Sequence, residues 1–153
     1  MIKKLILLFL IFKIGNLYAQ SPEIQWMSFE NSMSAFESAP KEIFIDVYTD
    51  WCGWCKKMDQ STFKDPEIVS KLSKDYYPVK LDAEMKREVL LFDDTLNFVK
   101  YGRSGAHELA LKLLGGKMSY PSYVILDKNL KIKKVIKGYK NTFQLLQALT
   151  TVQ

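Results

Sequence analysis

Positions 50–58 read DWCGWCKKM and hold the chain's only two cysteines, Cys52 and Cys55, with Gly53 and Trp54 between them. A thiol pair at this spacing can ligate a metal, lock a turn, or carry electrons as a reversible disulfide. Structural zinc takes four ligands from Cys and His, and the chain adds only one distant histidine, His107. Covalent haem attachment needs His directly after the second cysteine, where Lys56 stands. No metal and no cofactor is therefore expected. As a staple the pair would close a four-residue ring, for which the loop-entropy model gives about 2 kcal/mol, against about 3 for fifteen residues.

Electron exchange uses every feature of the stretch. The attacking species in disulfide exchange is a thiolate, and unpaired amide N–H groups and the dipole at a helix start stabilise one there. A helix beginning at the motif makes Cys52 the attacking thiol. Cys55, one turn later, becomes the deeper, less exposed resolving thiol, near enough to close a disulfide. Resolution requires a proton acceptor for Cys55. Asp46 sits inside the apolar run Phe44-Ile45-Asp46-Val47-Tyr48, where desolvation would raise its pKa toward neutrality and suit it to general-base work.

Stepping from these residues to their supports, Glu42–Tyr48 is rich in β-branched and aromatic residues and reads as a central strand. Period-two alternation puts Phe44, Asp46 and Tyr48 on one face and Ile45 and Val47 on the other. Before it, Ile24–Met27 reads as a short strand and Phe29–Glu37 as a helix ended by Ala39-Pro40. After it, a helix runs from Cys52 to about Thr62, and a second starts at Asp65-Pro66-Glu67, where Asp caps and Pro fits the first position. Tyr77–Leu81 forms a strand whose Pro78 must face away from any ladder bond. This alternation predicts a parallel pair joined by helical crossovers.

Farther on, Val89–Phe92 and Leu96–Tyr101 flank Asp93-Asp94-Thr95, which reads as a hairpin. His107–Leu114 is helical and ends at Gly115-Gly116. Tyr123–Leu126 and Ile132–Ile136 form an antiparallel pair. Asn141 or Thr142 caps a last helix carrying Phe143, Leu145, Leu146 and Leu149.

The first nineteen residues have the layout of an export signal: Lys3 and Lys4, then the apolar run Leu5–Phe12, then Leu17-Tyr18-Ala19 at a cleavage point. A spanning helix needs about twenty apolar residues, and Lys13 interrupts this one early. The expected organisation is a signal peptide, 1–19, and one domain, 20–153, exported to the periplasm. Removing residues 1–19 takes three lysines and no acid, lowering the formal charge from +5 to +2. So little charge gives no electrostatic case for nucleic acid. Outside the cytoplasm a thiol pair rests as a disulfide unless something reduces it.

IDVYTDWCGWCKKM resembles the strand, turn and active-site helix of the thioredoxin superfamily, with Trp51 before the first cysteine and Gly53 after it. Asp46 stands where that family has a buried acid, and Lys80 in VKLDAE resembles the lysine beside it. Ser119-Tyr120-Pro121-Ser122 looks like the family's cis-proline loop, whose proline packs on the cysteines and whose preceding residue pairs with substrate backbone. The likeness covers most of residues 41–150. It implies an α/β thioredoxin fold, a central mixed sheet flanked by helices, and a thiol-disulfide oxidoreductase. Trp54 replaces a small residue or proline, so the family's potential does not carry over. About twenty extra residues, between Glu84 and Met118, precede the cis-proline loop. With these features the chain resembles exported thioredoxin-like proteins, including the thiol-reducing domains of disulfide-interchange proteins, more than the cytoplasmic carrier.

The expected site is thus Cys52, Cys55, Asp46 and Lys80 for chemistry, with Trp51, Gly53, Trp54, Tyr120 and Pro121 binding substrate. Clients with disulfides or thiols and a membrane-bound electron donor are the implied partners, with no permanent membrane span in the mature chain. Lys56 and Lys57 read as solvated, and His107 as a capping or surface residue. Two rival readings are a peptide-binding holdase with incidental cysteines and a metal carrier using both thiolates.

Overall fold

The computed structural model describes residues 22–102 and 104–151, so the signal-like residues 1–19 lie outside it. The elements run α1 (Phe29–Ser38), β1 (Glu42–Tyr48), α2 (Gly53–Gln60), a 3-10 turn (Thr62–Lys64), α3 (Pro66–Asp75) and β2 (Tyr76–Asp82). Four short strands follow: β3 (Val89–Leu91), β4 (Asp94–Leu96), β5 (Phe98–Val99) and β6 (Ala106–His107). The chain then forms α4 (Glu108–Leu114), β7 (Ser122–Leu126), β8 (Ile132–Lys137) and α5 (Thr142–Thr150).

The main sheet has the order β2-β1-β7-β8, with β1 and β2 parallel and the other pairs antiparallel. Strand β1 is central, and alternation along it divides the protein into two cores. Ile43, Ile45 and Val47 face a layer containing Phe29 of α1 and Leu109, Ala110 and Leu113 of α4. Phe44 faces the other, with Met58 of α2, Ile68, Val69 and Leu72 of α3, and Leu145 and Leu149 of α5. Asp46 shares the Phe44 side by the same alternation and is 1% exposed.

Local chemistry sets the element ends. Asp65 accepts the Glu67 N–H at 2.9 Å, with Pro66 in the first helical turn of α3. Asn141 and Gln144 form a reciprocal capping box on α5. Pro78 lies on edge strand β2, whose outer side meets Met27: the Met27 N–H donates to Pro78 O and the Lys80 N–H to Met27 O. Because successive residues alternate, the Pro78 nitrogen shares the outer side with the Lys80 nitrogen and forfeits no bond to β1.

Three expectations need correcting. The stretch Ile24–Met27 contributes one parallel bridge, Met27 to Val79, rather than a strand. Helix α2 ends at Gln60 and a 3-10 turn takes over. The hairpin turns at Phe92-Asp93, earlier than Asp93-Asp94-Thr95, with Leu91 opposite Asp94. Phe92 has φ 54°, which a bulky residue seldom adopts, so turn propensity pointed to the neighbouring aspartates instead. Leu96–Tyr101 also splits, since Phe98–Val99 pairs with Ala106–His107.

The insertion is thereby two small hairpins laid on the α1/α4 core. Val89 and Leu96 are buried in that core, and Ala106 is buried as well. Gly105 lets the second hairpin close, because a Cβ there would collide with the Phe98 ring and the Val99 carbonyl. The His107 N–H donates to Ala83 O at 2.7 Å, tying β6 to the chain just past β2. His107 caps α4 as expected but is wholly buried rather than a surface residue.

Candidate functional site

Strand β1 ends at Tyr48, and a turn in which the Cys52 N–H donates to Thr49 O leads into α2. Cys52 is the N-cap of that helix. Its sulfur accepts the Cys55 N–H at 3.1 Å and is bonded to the Cys55 sulfur. The Cys52 sulfur therefore sits among the amide donors that a helix start leaves unpaired. Cys52 and Cys55 are 5% and 3% exposed, so the expected contrast in depth is slight in the disulfide form. Gly53 has open space around its Cα. Lys56 and Lys57 are exposed.

Beneath the helix, Asp46 Oδ2 lies 2.7 Å from Lys80 Nζ. The same ammonium also pairs with Asp59 of α2, a residue the sequence reading did not single out. Lys80 thus bridges a wholly buried carboxylate and a half-exposed one, one helical turn past Cys55. The Trp26 and Tyr48 rings lie 5.0 and 5.1 Å from its Nζ. Burial pushes the Asp46 carboxyl up from 3.8 to about 6; Lys80 pulls it down and the Asp59 charge raises it again. For Lys80 burial favours the neutral amine, but Asp46 and Asp59 outweigh it and hold the ammonium above its ordinary value. Asp46 Oδ1 is buried without a hydrogen-bond partner among the described residues, leaving a carboxylate oxygen free to take a proton.

The Tyr120-Pro121 peptide is cis, Pro121 is buried, and the Pro121 carbonyl accepts the Gly138 N–H at 2.8 Å. Two exposed tryptophans flank the disulfide. Trp51 is 66% exposed, meets Tyr120 edge-on at 5.7 Å, and donates its indole N–H to Glu84 Oε2 at 3.0 Å. Trp54 is 61% exposed and lies 5.2 Å from the Tyr139 ring. Large exposed rings beside a sulfur pair suit contact with a partner better than core packing.

Of the residues expected at the site, Cys52 and Cys55 are bonded with Gly53 and Trp54 between them, Asp46 pairs with Lys80, and Trp51 meets Tyr120, which precedes the cis Pro121. Asp59, Glu84 and Tyr139 were missed. Asp59 carried a signal, since it follows Cys55 by four residues and so shares its helix face. Glu84 and Tyr139 are distant in sequence from the tryptophans they meet and carried none.

In sequence, the thiol:disulfide interchange protein DsbD of Pseudoalteromonas atlantica is 38% identical over 45 residues, which cover 29% of this chain but only 8% of that protein. In structure, a DsbH oxidoreductase superposes with a TM-score of 0.60 at 17% identity, covering 90% of this chain and 92% of its own. A thioredoxin from Thermus thermophilus gives 0.63 at 14% identity, covering 85% and 87%. These likenesses establish the thioredoxin fold. Residues 16–106 match the family model described as Thioredox_DsbH, protein of unknown function, DUF255, and the chain belongs to that thioredoxin-like family.

Proposed function

We propose that the protein is an exported thiol-disulfide oxidoreductase that reduces or isomerises disulfides of client proteins. One observation carries the reading: the Cys52 sulfur, at the N-cap of α2, accepts the Cys55 amide N–H, and the same helix contacts the Asp46–Lys80 pair through Asp59. On reduction that amide and the helix dipole favour a Cys52 thiolate. The thiolate attacks one sulfur of a client disulfide; a bond forms from Cys52 to that sulfur while the other leaves as a thiolate and takes a proton. Asp46 accepts the Cys55 proton through the Lys80-linked network, and Cys55 then displaces the client sulfur from Cys52. Two electrons pass to the client and the Cys52–Cys55 disulfide closes. A dithiol donor must reopen it, and a membrane-bound one fits an exported protein.

Trp51, Trp54, Gly53, Tyr120 and Pro121 serve client binding in this scheme. Export rests on residues 1–19, and the DsbD relative, a thiol:disulfide interchange protein by name, agrees with the chemistry. Among the described residues no helix is long and apolar enough to cross a membrane.

The test is Cys55→Ser in the reduced full chain. Mixed disulfides through Cys52 should accumulate with client proteins and dissolve on adding dithiol. Client capture that persists without a covalent link, and equally in Cys52→Ser, would instead identify a holdase. N-terminal sequencing of the secreted protein checks the cleavage after Ala19.

A further inference from the structure

On the Trp51 side of the disulfide lies a groove of about 340 Å³ that the sulfur chemistry does not itself require. Four separated pieces of chain line it: Trp51 past the end of β1, Glu84 past the end of β2, Met118 and Tyr120 leading into Pro121, and Tyr101 and Ala106 from the insertion. The insertion's wall is anchored, because the Tyr101 hydroxyl donates to Gly116 O at 2.5 Å and β6 is tied to Ala83.

The lining has a definite chemistry. Trp51 and Tyr101 present exposed ring surface, and Met118 adds a polarisable thioether. Among the described residues Glu84 is the one charged residue in the lining. One of its oxygens is taken by the Trp51 indole N–H, which orients the carboxylate. Asp82 beside it is raised by burial first and also by the charges of Asp50 and Glu84, with Lys86 offsetting in part. Among the described residues no salt bridge engages Glu84, Asp82 or Asp50. Among the described residues the lining is therefore aromatic and apolar with one negative charge, and it begins at Trp51, next to Cys52.

We propose that this groove takes the side chain next to the reacting cysteine of an extended client polypeptide, and that it selects lysine or arginine there. The stem lies along Trp51, Tyr101 and Met118, and the cation meets Glu84 and the ring faces. As Cys52 bonds to one client sulfur and the other leaves, the neighbouring basic residue anchors the client through the mixed disulfide. An acidic neighbour meets repulsion and alanine leaves the groove empty. This inference rests on the oxidoreductase reading above.

The experiment uses reduced full-length protein and peptides whose single cysteine is joined to a chromophoric aromatic thiol, with Arg, Leu, Ala or Glu beside that cysteine. Release of the chromophore gives a second-order rate constant, divided by the rate with dithiothreitol to remove intrinsic peptide reactivity. Arg should exceed Ala by about five- to tenfold and Glu should fall below Ala, with the spread shrinking as salt rises. Glu84→Gln keeps an acceptor for the Trp51 indole while removing the charge, and should cut the Arg preference to about twofold. Equal rates for Arg, Ala and Glu, or an Arg preference intact in Glu84→Gln, would overturn the groove assignment alone. A reduced protein inert toward every peptide would overturn the oxidoreductase reading and the groove with it.

Discussion

Asp46→Asn removes a titration while nearly preserving shape, so it isolates what burying this carboxyl does to the fold. Asp46 is 1% exposed and its pKa rises from 3.8 to about 6, chiefly through burial. A raised folded pKa contributes stability that is fully present below the unfolded value and is lost as pH climbs through the folded one. The window therefore runs from about pH 4 to pH 7, and the loss across it is about 3 kcal/mol at 1.36 kcal/mol per unit. Lys80 is already counted in this figure, and in the variant it keeps Asp59 as a partner. Urea unfolding of the disulfide form at several pH values measures the effect. The wild-type midpoint should fall relative to the variant by roughly 1 to 3 M between the two ends of the window, given slopes of about 1–3 kcal/mol per M. His107 and the surface carboxylates titrate in both proteins and cancel in the difference. Parallel pH profiles, or a variant that loses ground at the alkaline end, would refute the claim that the fold holds Asp46 ionised at a cost.

Three further predictions follow from the same kind of accounting. Asp59→Asn removes a charge that raises Asp46 and leaves Lys80 to Asp46 alone, so the transition assigned to Asp46 should move down; rates of Cys55 alkylation against pH in the reduced protein report it. Gly105→Ala drives a methyl into the Phe98 ring and the Val99 carbonyl and should destabilise the protein by about 1–3 kcal/mol, read by thermal unfolding. His107 is held below its ordinary 6.5 by burial first, and its Nδ1 accepts the Leu109 N–H while Nε2–H donates to Arg87 O. A depressed folded pKa means that stability is lost as pH falls below that of the unfolded histidine. The protection factor of the Leu109 amide, its exchange rate corrected for the intrinsic pH dependence, should therefore fall on acidification below about pH 6.5, and His107→Asn, which retains a capping acceptor, should flatten that response.

What the sequence disclosed and what it hid divide along sequence separation. The two faces of β1 follow from alternation inside seven residues, the burial of Asp46 from the covering of a central strand on both faces, and the helix start at Cys52 from the strand just before it. The pairing of Asp46 with Lys80 was legible only through family resemblance, since nothing local forces a lysine on a parallel neighbour to face the same side; the register that puts Asp46 opposite Lys80 belongs to the assembled sheet. Asp59 was hidden for a related reason. Its helical spacing from Cys55 could be counted, but whether that face looks at solvent or at a buried ammonium depends on how α2 lies across the strands. The groove was the least legible of all, because Trp51, Glu84, Tyr101 and Tyr120 come from four places in the chain and none carries a motif. Such a site is fixed by tertiary packing, whereas reactivity at Cys52 is fixed by one turn of backbone. On the proposed reading the chemistry can therefore be read locally, while client choice would be set by the insertion and by the geometry that brings it to Trp51.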